Sequence, residues 1–106
     1  MRNVQCLHLP VIILMALETT IFTFKISVPF EEWAKAFDGP DVVELHKANA
    51  VKPLYRGVSK NDPQSVVVVH QAEEGVAIKM FEGAREPIEA GGHIWDSTVI
   101  TSYLAG

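Results

Sequence analysis

Two histidines stand at strand ends. His70 closes the apolar run V-V-V-V of residues 66–69, and His93 follows Gly91-Gly92 at the start of the last β-rich stretch. Imidazole is the side chain whose ordinary pKa, about 6.5, lets it exchange a proton near neutrality without tuning. His70 and His93 are therefore the candidate catalytic acid–base residues. The competing reading is a strand-end imidazole bonded to a loop carbonyl. Tyr55, Arg56 and Trp95 are the candidate ligand-binding residues. Tyr55 and Arg56 alternate along one strand, so only one of them can face a given cavity. Arg56, beside Gly57, suits a bidentate grip on a carboxylate, or an ordinary ion pair at an interface. Asp96 could pair with a histidine, although Asp96, Ser97 and Thr98 equally read as edge residues that bond locally. Trp33 and Phe37 belong to a helical aromatic stripe and are core residues first, with a ligand pocket between helix and sheet as the alternative.

Other chemistries find no support. His46, His70 and His93 lack H-x-x-H or H-E-x-x-H spacing and Cys6 stands alone, so no metal site is predicted. His70 or His93 could ligate a haem, but nothing favours one. G-x-G-x-x-G, P-loop and G-x-S-x-G motifs are absent, and no cofactor is implied. Nine Lys and Arg against 13 Asp and Glu leave a net charge of −4, with the basic residues scattered singly from Arg2 to Arg85. That pattern excludes an electrostatic footprint for nucleic acid. The single cysteine rules out an intrachain disulfide and fits a reducing, cytoplasmic setting.

These residues need elements to hold them. Residues 19–28, 65–72 and 94–104 are rich in β-branched and aromatic types, and residues 53–58 form a further strand opened by Lys52-Pro53. Phe22, Phe24 and Ile26 alternate onto one face, under helices, with Ile21, Thr23 and Lys25 on the other. Ser27 and Pro29 read as cap and first turn of a helix whose stripe is Phe30, Trp33, Ala34 and Phe37. Asp38-Gly39-Pro40 breaks it, and Val42, Leu45 and Asn49 continue a second piece. Residues 59–64 (S-K-N-D-P-Q) read as a hairpin loop. Residues 73–84 read as a helix with Val76, Met80, Phe81 and Ala84 inward, restarted at Pro87 and ended at residues 90–92 (A-G-G). The unalternating run at residues 66–69 marks a strand covered on both faces.

The resulting order, βαββαβ, is the ferredoxin-like split βαβ unit of the α+β class. Four strands with helices on one side leave an apolar sheet face that calls for a partner, so a homodimer is predicted. Residues 1–14 are set apart as an N-terminal extension before a domain over residues 15–106. Residues 4–17 are mostly apolar behind Arg2, as in a signal peptide. Gln5, His8 and Pro10 interrupt them, however, no A-x-A-like site follows, and the stretch is too short to span a membrane. It reads as an ordered extension, or as sequence upstream of a second start at Met15.

The segments L-Y-R-G-V-S-K-N-D-P (residues 54–63), V-V-V-V-H-Q-A-E-E-G-V-A (66–77) and G-H-I-W-D-S-T (92–98) resemble a small family of unknown function. Its members are encoded mainly by marine bacteria and cyanobacteria. The resemblance implies a dimeric α+β barrel in which two four-stranded sheets face each other, and it implies no activity. The wider superfamily holds cofactor-independent monooxygenases, haem-degrading enzymes and isomerases, so the fold by itself does not name a function. Two readings stay open. One is a small-molecule binding protein or cofactor-independent enzyme with its pocket between sheet and helices. The other is a non-catalytic structural or regulatory homodimer.

Overall fold

Strong β-formers and turn residues arrange the chain into one antiparallel sheet with helices on one face. The computed structural model describes residues 16–106; the extension predicted over residues 1–14 lies outside them. The strands are β1 (Leu17–Ile26), β2 (Lys52–Ser59), β3 (Asp62–Glu73) and β4 (His93–Leu104). The helices are α1 (Phe30–Phe37), α2 (Pro40–Ala48), α3 (Val76–Gly83) and α4 (Arg85–Ala90). The spatial order β2-β3-β1-β4 is that of the split βαβ unit. β3 and β1 are central, and β2 and β4 form the edges.

Register decides which side chains meet the helices. Phe22 lies opposite Val68 and Phe24 opposite Val66 in the β1–β3 ladder, and Ile26 lies opposite His93 across β1–β4. Residues directly opposite share a face. Phe22, Phe24, Ile26, Val66 and Val68 therefore pack with Trp33, Ala34 and Phe81 into one buried cluster. α1 reaches it through the expected stripe, whose Phe30 and Phe37 flank the buried centre. Gly39 precedes Pro40 at the break between α1 and α2, where proline's fixed φ suits a helix start.

Among the described residues, no helix covers the other sheet face. Leu17, Ile21, Tyr55, Val67, Val69, Ile94, Val99 and Tyr103 fall on it by register. Val66 and Val68 are buried, but Val67 and Val69 are only half-buried, so one chain covers the V-V-V-V run on a single side.

Three local expectations also change. The helix expected from residue 73 begins at Val76, because Glu73 is still paired with Leu17 in the sheet. Gly75, at φ +84°, makes the turn, and its N–H donates to the buried Glu18 carboxylate at 2.8 Å. The loop expected over residues 59–64 tightens to a two-residue turn, since Ser59 already pairs with Asp62. Ser27 does not cap α1. Its backbone N–H donates to the Gly92 carbonyl at 2.8 Å and its hydroxyl to the same oxygen at 3.3 Å, tying β1 to β4. Gly92, at φ +103°, is the left-handed residue expected after α4, and a Cβ there would sit 2.6 Å from a Val28 methyl.

Candidate functional site

Between the sheet and the helices lies a cavity of about 120 Å³. β1 contributes Phe22 and Phe24, β3 contributes Val68 and His70, and His93 enters from the start of β4. The helices close it with Trp33, Phe37, Leu45, His46, Met80, Phe81 and Ile88, among others. The wall is aromatic and aliphatic apart from three imidazoles.

His70 follows Val66 and Val68 on the helix-facing side of β3, and alternation therefore sends its ring inward. The residue is 5% exposed, and among the described residues neither ring nitrogen has a hydrogen-bond partner. Its neighbours are other rings. Phe22 meets it edge-on at 5.4 Å, Phe37 stacks at 6.3 Å, and His46 stands perpendicular at 4.7 Å between centroids. Burial, with a smaller contribution from His46, pushes the His70 pKa down to about 4. Burial also lowers that of His46. Near neutrality both rings are free bases.

His93 is held differently. Its ring stacks on Phe24 at 3.8 Å and is 5% exposed. Nε2 lies 2.7 Å from the Thr98 hydroxyl oxygen, and that hydroxyl donates to the Trp95 carbonyl at 2.7 Å. A hydroxyl has one proton to give. Nε2 must then be the donor in the His93–Thr98 contact, which leaves Nδ1 with its lone pair. Burial pushes the His93 pKa down to about 4, against an opposing pull from Glu89.

The structure thus brings His70 and His93 to one cavity, linked by ring contacts through Phe22 and Phe81. The other candidates lie elsewhere. Tyr55 is 62% exposed on the open face of the sheet, its ring across Gly57. Arg56 donates through Nε and Nη2 to the two carboxylate oxygens of Asp38, at 2.9 and 2.6 Å, and its guanidinium sits 5.7 Å from the Phe30 ring. The grip expected for a ligand carboxylate is occupied by the chain's own. Trp95 stacks on Phe81 at 4.5 Å and carries Arg85 over its outer face at 4.9 Å, beside the cavity without lining it. Asp96 is exposed on β4 and approaches no histidine.

His46 is the residue that sequence reasoning passed over as a site candidate. It takes the i+4 place after Val42 on the inward stripe of α2, a position first read from Val42, Leu45 and Asn49 alone. Among the described residues no group of three or more His, Cys, Asp or Glu could hold a metal ion. The three imidazoles offer uncharged donors and acceptors in an apolar enclosure, suited to hydrogen bonding and proton exchange with a small neutral molecule.

Comparison with known proteins bears on fold and family. The chain is similar in structure to a protein described as a candidate antibiotic biosynthesis monooxygenase from Caulobacter crescentus CB15. The TM-score is 0.60 at 19% sequence identity, over 93% of this chain and 98% of that one. At that identity the likeness is one of fold. No curated protein matches the chain. A family model described as a domain of unknown function, DUF3764, matches residues 17–105, nearly all of the described chain from β1 to the end of β4, and the chain belongs to that family.

Proposed function

We propose that the cavity is a small-molecule site and that the chain is a binding protein or cofactor-independent enzyme with His70 as its hydrogen-bonding and acid–base group. One observation carries this reading: His70 is buried at the cavity wall with both ring nitrogens unpartnered. A buried polar group left unpaired costs about 1–3 kcal/mol, and groups kept at such a cost cluster where a ligand completes them. The similarity in fold to a candidate monooxygenase is in keeping with chemistry on a small molecule. His93, oriented by Thr98, is the second base available.

The experiment is His70→Leu, which keeps the volume and removes both nitrogens. If His70 is held for a ligand, the variant melts higher, by about 1–3 kcal/mol in stability. A loss of similar size would mean that the imidazole serves packing, and the non-catalytic scaffold would replace the enzyme reading.

A homodimer belongs to the same proposal. Its support is the open sheet face, where Leu17, Tyr55, Ile94, Val99 and Tyr103 are exposed and Val67 and Val69 half-buried. A contiguous apolar face of that kind is uncommon on a monomer. No described helix is long and apolar enough to cross a membrane. The cytoplasmic setting rests on the single thiol.

A further inference from the structure

The cavity wall narrows what it can take. Resting on the reading of the cavity as a binding site, we infer that its ligand is a neutral, single-ring aromatic molecule that donates one hydrogen bond to His70, a phenol rather than a carboxylate or an ammonium.

Size and shape come first. A volume of about 120 Å³ suits one aromatic ring, and apolar protein cavities on the order of 100 Å³ do take up benzene-sized molecules. Trp33, Phe37, Phe22 and Phe81 offer flat surfaces for a planar guest.

Charge is decided by what the lining lacks. Among the described residues it contains no Lys, Arg, Asp or Glu. Arg56, which pairs with the cavity residue Val68 across the β2–β3 ladder, is closed off by Asp38. An anion entering would lose its hydration and find no counter-charge, and a cation would fare the same.

Hydrogen-bonding capacity settles the polar group. A neutral imidazole carries one N–H and one lone pair. His93 spends its N–H on Thr98, whereas His70 spends nothing within the protein. A phenolic O–H can donate to the bare nitrogen of His70. An aromatic ether or hydrocarbon of the same size cannot, and leaves that nitrogen without a donor.

Calorimetric titration of the intact protein at pH 7 with phenol, toluene and benzoate tests this. Phenol should bind about tenfold more tightly than toluene, the value of one buried hydrogen bond, and benzoate should give no heat. In the same protein labelled with ¹⁵N at histidine, phenol should shift the His70 ring nitrogens more than those of His93. His70→Leu should abolish the preference for phenol over toluene while leaving toluene bound. Equal affinity for phenol and toluene, or benzoate binding more tightly than phenol, would overturn the ligand class and leave the cavity as a binding site. Should none of the three bind, both this inference and the binding-site reading fall.

Discussion

An imidazole buried without a counter-charge is stable only as the free base, whereas in the unfolded chain it titrates near 6.5. His70 and His93 are both pushed down to about 4 in the folded protein. Between pH 6.5 and 4 the unfolded state therefore binds more protons than the folded one, and stability falls as the pH falls. It is fully present above about 6.5 and is lost progressively toward pH 4. Each ring contributes at most about 3 kcal/mol to that loss, and His46 acts in the same direction. Two such losses rival the whole stability of a small domain. Urea midpoints should thus drop steeply between pH 7 and pH 4.5, with the slope reduced in His70→Leu. A midpoint that stays level to pH 4.5 would show that the rings reach solvent or a proton acceptor. The Asp62 carboxylate acts in a separate window: its contact with Lys25 holds the carboxyl below its usual range, so that contact persists until the pH is lower still.

At the scale of elements, the helix layer is pinned to the sheet by a few aromatic rings. Phe24 stands on the helix face of β1, between the His93 ring at 3.8 Å and Trp33 at 5.7 Å. Phe81 ties α3 to Phe22, at 4.9 Å, and to Trp95. Truncating either leaves a hole beside an existing cavity, which limits how far the surroundings can collapse. Phe24→Ala and Phe81→Ala should each cost about 3–5 kcal/mol, measured by chemical denaturation with an unchanged m value. A cost below about 1 kcal/mol for either would mean that the cavity wall relaxes freely. Such a wall would not hold His70 and His93 in fixed positions.

For the whole molecule, the open face and the chain start are the two places where the described residues do not close the account. Burying the face around Val67, Val69 and Ile21 against a second copy would give an obligate interface, typically above about 1,500 Å² in total. Light scattering at micromolar concentration should then report twice 11.7 kDa, and Val67→Lys, at the centre of the face, should shift the mass toward the monomer. A wild-type mass of 11.7 kDa would refute the homodimer. Every described strand and helix lies after residue 16, so deletion of residues 1–14 should leave a cooperatively melting protein. A truncated chain without a melting transition would make the extension part of the fold.

The element order was legible in the sequence because period-2 and period-3.6 patterns are local properties of the backbone. Phe22, Phe24 and Ile26 announced one face of β1, and Asp38-Gly39-Pro40 announced the break between two helices. The inward placement of His70 needed the strand register, which puts it two residues beyond Val68 on the helix-facing side of β3. What local pattern could not carry was pairing across the chain. Arg56 read as a ligand grip or an interface ion pair, and only the fold brought Asp38 of the same chain against it. Thr98 fixed the tautomer of His93 at an irregularity in the β1–β4 pairing that spacing does not encode. His46 was hidden in plain periodicity, because a helical stripe says which residues point inward but not which strand they will meet. The sequence by itself determined the split βαβ order and two of the three imidazoles. Only the tertiary structure decided that His46, His70 and His93 share one cavity, since convergence depends on strand register and helix docking between residues far apart in the chain.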